Sequence, residues 1–140
     1  MNIDTINDVL NRFDFIEFSI IFGSFAEGKE NKMSDIDIGI FVNREYDLIE
    51  LGTAITQIEA KFGKNIDMII LNDIYKKDPQ FAYEVILKGR VLNSEKNDKY
   101  IMFKESVFKY YMDTNYLRDQ VNKSFRLRLK NGKFGERNYA

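Results

Sequence analysis

One segment near the start of the chain has residue types at a spacing that could transfer a phosphate-bearing group. Gly23-Ser24 is followed by ten residues and then by Asp35-Ile36-Asp37. A glycine lets the backbone approach a phosphate closely, and a serine hydroxyl can donate a hydrogen bond to it. Two neighbouring carboxylates suit a hard cation such as Mg²⁺, which also takes phosphate oxygens. The segment therefore favours magnesium-assisted nucleotide transfer.

A third acid fits this set. Residues 65–71 predict another buried strand, and Asp67 is its one charged residue. An unpaired carboxylate in an apolar run is costly, so it needs a reason to be there. If this strand lies beside the Asp35 strand, Asp67 completes a three-carboxylate cluster that holds a metal and accepts a proton from an attacking hydroxyl. Taken alone, Asp67 could simply cap a strand.

A strand must position the paired acids. Residues 35–42 alternate strictly, which places Asp35, Asp37 and Gly39 on one face and the β-branched residues on a buried face. Gly39 leaves room just behind the acids. A Gly-Ser pair alone is a common turn, and Asp-x-Asp alone is often a strand-edge feature. Their joint occurrence between two apolar strands is what favours a functional site.

The remaining elements frame this strand. Residues 17–22 predict a preceding strand, and Phe25-Ala26-Glu27 predicts the first turn of a short helix at which phosphate would dock. A helix should start at Asp78-Pro79 and end at Gly89, before a short strand over 90–92. Two further amphipathic helices are predicted from apolar residues at helical spacing, namely Ile3, Ile6, Val9, Leu10 and Phe13, and then Leu48, Leu51, Ile55, Ile58 and Phe62.

The motif Gly23-Ser24-x10-Asp35-Ile36-Asp37 resembles the signature of the DNA polymerase beta nucleotidyltransferase superfamily. Within it, the chain is similar to the minimal nucleotidyltransferases that act as MntA-type antitoxins beside HEPN-domain toxins. The resemblance covers residues 1–95, and Asp67 stands where the family places its last carboxylate. It implies an α/β (α+β), polymerase-beta-like fold, in which helices flank a small mixed sheet and a C-terminal helical extension follows.

The resemblance also implies a reaction, the transfer of AMP from ATP onto a tyrosine of the partner toxin, which silences its RNase activity. Asp35 and Asp37 would hold two Mg²⁺ ions, Asp67 would ligate the catalytic ion and help to deprotonate the acceptor, and Gly23 with Ser24 would bind the β- and γ-phosphates.

The chain departs from the family pattern at one position. Many members carry a basic residue where this chain has Glu27. An acid there would weaken triphosphate binding, unless it points to solvent or Lys29 or Lys32 supplies the compensating charge.

Composition excludes several mechanisms and partners. The 140 residues include no cysteine and no histidine, which excludes disulfides, zinc hydrolases, and Ser-His-Asp or Cys-His catalysis. No apolar run has membrane-spanning length and no signal-peptide pattern is present, which predicts a cytoplasmic protein without a membrane partner. Residues 1–117 carry fourteen basic against twenty acidic residues. This acidic body lacks the basic footprint of a nucleic-acid-binding enzyme.

The C-terminal third differs from the rest. Apolar residues continue at helical spacing from Tyr100 to Phe125, and residues 118–140 carry seven Lys or Arg against two acids. We therefore predict a nucleotidyltransferase core over 1–95, a helical extension over 96–130 and a flexible tail over 131–140. The extension is either partly solvated or a surface for the toxin or for a second copy in a homo-oligomer.

Two other functions remain open. An antitoxin could neutralise its toxin by contact alone, without catalysis. A nucleotidyltransferase could also act on a small molecule such as an aminoglycoside, although related enzymes of that kind carry a larger second domain. Transfer onto tRNA ends is disfavoured by the acidic body.

Overall fold

The computed structural model of the protein describes residues 3–28, 35–92 and 96–130. Lys29, Lys32 and the predicted tail over 131–140 lie outside the described residues. The elements follow the order α1 (Ile3–Leu10), β1 (Ile16–Phe22), β2 (Ile36–Val42), α2 (Leu48–Phe62), β3 (Ile66–Ile70), α3 (Ile74–Lys77), α4 (Pro79–Lys88), β4 (Arg90–Val91) and α5 (Asp98–Lys130).

The four strands form one mixed sheet in the order β3-β2-β1-β4. Strand β1 runs antiparallel to both β2 and β4, while β2 and β3 are parallel. A parallel pair needs a crossover connection, and α2 supplies it between β2 and β3. Helices flank this sheet, so the α/β fold class predicted from the sequence is confirmed.

Strand alternation divides the core between the two faces of the sheet. Ile36, Ile38 and Ile40 are fully buried on one face, in the cluster that includes the buried residues of α1 and α2. The opposite face carries the cluster that includes Phe18 and Leu71 together with the buried residues of α4 and α5. The predicted alternation of β2 is therefore confirmed, and Asp37 lies on the α4 side.

Helix α4 begins and ends where the sequence predicts. The Asp78 carboxylate accepts a hydrogen bond from the Phe81 amide at 3.1 Å, and Pro79 occupies the first helical position. Gly89 follows the last helical residue, and its amide donates to the Val85 carbonyl at 2.9 Å. These caps satisfy backbone groups that the helix ends leave unpaired.

The prediction of a short helix after β1 is wrong. The segment forms a turn in which the Glu27 amide donates to the Gly23 carbonyl at 3.2 Å and the Gly28 amide donates to the Phe25 carbonyl at 3.4 Å. Gly28 then adopts a left-handed φ of 70°, which ends the turn before a helix can extend.

Three other local predictions are wrong. Leu48 is 75% exposed at the start of α2, where it does not reach the core. The space beside Gly39 does not serve the acids either, because the Leu71 side chain fills it and would lie 2.6 Å from an added Cβ. Strand β3, predicted as buried, is only partly buried, since it lies at the edge of the sheet.

Helix α5 is 33 residues long, roughly 50 Å. The Asn97 side chain accepts hydrogen bonds from the amides of Lys99 and Tyr100 at its start. Among the side chains of α5 that the structure describes, the buried ones are Tyr100, Phe103 and Val107, all in its first turns. Because α5 contributes to the core, the division of the chain at residue 95 stays a prediction. No helix among the described residues is long and apolar enough to cross a membrane.

Truncation of two phenylalanines of α5 should change stability to very different extents. Phe103 is 3% exposed and contacts the rings of Phe18, Phe41 and Tyr75, whereas Phe125 is 47% exposed. We expect Phe103→Ala to lower the free energy of unfolding by about 3–5 kcal/mol. Phe125→Ala should change it by less than about 0.5 kcal/mol. Urea denaturation followed by circular dichroism measures both, and an equal loss would mean that a second copy covers the end of α5.

Candidate active site

The ends of three strands meet at one corner of the sheet. Phe22 at the end of β1 pairs with Asp37 near the start of β2, and Asp37 pairs with Asp67 near the start of β3. Paired residues on neighbouring strands project their side chains from the same face. The register therefore brings Asp37 and Asp67 side by side on the face that α4 covers.

A cleft of about 380 Å³ opens between this corner and α4. The sheet and the turn after β1 contribute Phe22, Gly23, Glu27, Asp37, Asp67 and Ile69, and α4 contributes Phe81, Glu84, Val85 and Lys88. Among the described residues that line the cleft, acidic side chains thus outnumber basic ones, and most of the others are apolar.

Gly23 lies directly against the Asp37 carboxylate. Its φ of 74° is in the left-handed region, which side chains rarely adopt. A Cβ added to Gly23 would overlap Asp37 Oδ2. A glycine is therefore required here for two reasons, the backbone conformation and the close approach of the carboxylate.

The electrostatics of the cleft act most strongly on Asp37. Burial raises the pKa of this carboxyl, and the charges of Asp67 and Asp35 raise it further. Asp67 and Asp35 are therefore both close enough to Asp37 to repel its negative charge. A bound cation would relieve this repulsion.

The other proposed site residues lie around Asp37. Asp67 is exposed, and Asp35 is exposed immediately before β2, outside the set of residues that line the cleft. Ser24 is partly buried in the turn and does not line the cleft. The structure thus brings Gly23, Asp37 and Asp67 together in the cleft, while Asp35 and Ser24 lie beside it.

The acids of the cleft suit Mg²⁺ in their chemistry. Within the part of the chain that the structure describes, no three acidic side chains converge into a preassembled cation site. Mg²⁺ binds proteins through one or two carboxylates and completes its coordination with water and substrate phosphates, so a preassembled cage is not required. Asp37 and Asp67 are adjacent oxygen donors, and burial together with repulsion from Asp67 raises the pKa of Asp37. These residues fit the ion.

Sequence reasoning missed the contribution of α4. The patterns in the sequence assign no role in the site to Phe81, Glu84, Val85 or Lys88. All four line the cleft. Their signal was present in the sequence, since positions 81, 84, 85 and 88 follow one another at helical spacing on a single stripe.

Comparison with known proteins agrees with this fold. The sequence model of the family described as polymerase beta, nucleotidyltransferase matches residues 4–98. Since this match spans more than half of the chain, the protein belongs to the polymerase beta nucleotidyltransferase family, and it is a nucleotidyltransferase. It is also 32% identical over 73 residues to a protein of Methanocaldococcus jannaschii that is provisionally named a protein adenylyltransferase. That alignment covers 52% of this chain and 69% of the relative.

Solved structures share the fold at low sequence identity. A chain of a toxin–antitoxin crystal structure with AMP-PNP matches with a TM-score of 0.70 and 18% identity, over 89% of this chain and 98% of the other. A chain from the complex of a tri-AMPylated HEPN toxin of Shewanella oneidensis with its MNT antitoxin matches with a TM-score of 0.62 and 15% identity, over 87% and 93% of the two chains. The likeness extends over nearly the whole length of these proteins.

Proposed function

We propose that this protein is an adenylyltransferase antitoxin, which transfers AMP from ATP, with Mg²⁺, onto a tyrosine of a partner HEPN-domain RNase toxin and so neutralises it. The observation that carries the proposal is the cleft, where Asp37 and Asp67 lie side by side against Gly23. The relative named for protein adenylylation and the fold shared with MNT antitoxins supply the choice of AMP and of a protein acceptor.

The acids of the corner would organise the reaction. Asp37 and Asp67, with Asp35 beside them, would hold the two Mg²⁺ ions. When bound, Mg²⁺ offsets the negative charge that develops on the phosphate oxygens. Asp67 would also accept the proton of the attacking hydroxyl, because its exposed carboxylate lies next to Asp37 where an acceptor can enter.

The bonds that change are those at the α-phosphorus of ATP. The tyrosine oxygen of the acceptor forms a bond to this phosphorus as its proton passes to a carboxylate. The bond to the bridging oxygen breaks, and pyrophosphate leaves with the electron pair. Gly23 would let the backbone of the turn approach the β- and γ-phosphates, and Ser24 would donate a hydrogen bond to them.

Isotope-labelled ATP tests this function directly. The purified chain is incubated with Mg²⁺, ATP and a candidate HEPN-domain partner, and the intact mass of that partner is measured. We expect an increase of one or more AMP groups on a tyrosine. Label should be incorporated from the α-phosphate of ATP and not from the γ-phosphate, since the γ-phosphate leaves in pyrophosphate.

A variant with both Asp35→Asn and Asp37→Asn provides the control. It should leave the partner unmodified and its RNase activity intact. If the variant still neutralised the toxin, the chain would act by contact alone. If label appeared only on a small-molecule acceptor such as an aminoglycoside, the proposed protein acceptor would be wrong.

A further inference from the structure

The charges that line the cleft pose a problem for a polyanionic substrate. Four acids line it, namely Glu27, Asp37, Asp67 and Glu84. Mg²⁺ at Asp37 and Asp67 would neutralise part of this charge, but Glu84 would still repel a triphosphate. Among the described residues that line the cleft, Lys88 is the single cation.

Backbone packing at the end of α4 fixes the position of Lys88. Lys88 is the last residue of α4, and Gly89 follows it. A Cβ added to Gly89 would lie 2.6 Å from Ile20 Cγ2 and 3.1 Å from the Ile21 carbonyl oxygen. The end of α4 is therefore packed tightly on β1, which holds Lys88 over the cleft.

The Lys88 side chain remains available to a ligand. It is exposed, and within the described parts of the chain no carboxylate forms an ion pair with its ammonium group. An ammonium on a flexible four-carbon stem acts as a mobile point charge, which suits a phosphate. Lys88 also lies at the exposed rim, whereas Asp37 is partly buried at the strand ends.

We infer that Lys88 is a substrate-binding residue that contacts the β- and γ-phosphates of the nucleotide and so selects a triphosphate over a monophosphate. The α-phosphate must lie at Asp37 and Asp67, where the reaction occurs, so the outer phosphates extend toward the rim. Lys88 there offsets the charge of Glu84. This inference rests on the proposed function, because it assumes a nucleotide in this cleft.

Affinity for nucleotide fragments tests the inference without measuring transfer. Isothermal titration calorimetry of the full chain with Mg²⁺ would measure binding of ATP, pyrophosphate and AMP. Because Lys88 would form a charge-assisted contact, Lys88→Gln should weaken the binding of ATP and of pyrophosphate about ten- to hundredfold. The binding of AMP should be unchanged. Lys88→Arg should restore most of the affinity.

Lys77→Gln is the matched control. Lys77 is also an exposed helical lysine, but α3 follows the end of β3 opposite Asp67, and Lys77 does not line the cleft. Its replacement should leave all three affinities unchanged. An equal loss in both variants would mean that only net charge matters, which overturns the inference.

Two further outcomes separate this inference from the proposed function. If Lys88→Gln lowered only the unfolding temperature, Lys88 would merely complement the C-terminal dipole of α4, and the inference would fail while AMP transfer by the unmodified chain continued. If the unmodified chain bound no ATP and transferred no AMP, the proposed function would fail and this inference with it.

Discussion

Replacement of Asp37 by asparagine is expected to abolish AMP transfer while making the metal-free protein more stable. Asp37 lies between Gly23 and Asp67, and asparagine has nearly the same shape without the negative charge. Loss of this metal ligand should lower the transfer rate by about 10³-fold, because metal stabilisation of the developing charge is worth several kcal/mol. The gain in stability follows from removing a carboxylate that is partly buried and repelled by two neighbours.

The pH dependence of stability gives this prediction a definite sign. The pKa of Asp37 is raised in the folded protein above its ordinary value of 3.8, so the folded state binds this proton more readily than the unfolded chain. The resulting penalty is fully present above the raised pKa, and it shrinks as the pH falls toward 3.8. The stability advantage of Asp37→Asn should therefore be largest at neutral pH and disappear in acid.

Urea denaturation of both proteins between neutral and acidic pH, without metal, measures this difference. Asp73→Asn is the matched control, since Asp73 is exposed and its side chain makes no capping hydrogen bond at the start of α3. Addition of Mg²⁺ should raise the unfolding temperature of the unmodified protein more than that of Asp37→Asn. Transfer at the normal rate by Asp37→Asn, or a lower stability at neutral pH, would contradict the proposed site.

Much of the fold follows from local patterns in the sequence. Strict alternation located β2 within one residue, because one face of this strand is fully buried. Asp78, Pro79 and Gly89 located both ends of α4, because caps and helix stops depend on nearby residues. In contrast, α3 has only four residues and no buried side chain, so no apolar period revealed it.

The site was harder to predict than the fold because it depends on tertiary contacts. The placement of Asp67 beside Asp37 required an assumption about strand order, and the observed parallel register agrees with it. The role of Gly39 was misjudged, since its space is occupied by Leu71 from the far end of β3. The participation of Lys88 depends on how α4 crosses the sheet, which no local pattern specifies.

Replacement of Gly23 by alanine should strongly impair AMP transfer at a moderate cost in stability. The new methyl group would overlap Asp37 Oδ2. Because a side chain moves more easily than the backbone of the turn, the Asp37 carboxylate would have to rotate out of its place beside Asp67. We expect a loss of transfer of about 10²-fold, the scale on which small misplacements of reacting groups act. The left-handed φ of 74° adds a conformational cost of about 1–2 kcal/mol.

Gly28→Ala separates these two effects. Gly28 has nearly the same φ, 70°, but no described atom lies within 4 Å of its added Cβ. It should therefore show the same conformational cost as Gly23→Ala and retain transfer activity. Radiolabel transfer and urea denaturation of both variants provide the comparison. Equal loss of activity in both would mean that the backbone of the turn matters rather than its contact with Asp37, whereas full activity of Gly23→Ala would remove Asp37 from the reaction.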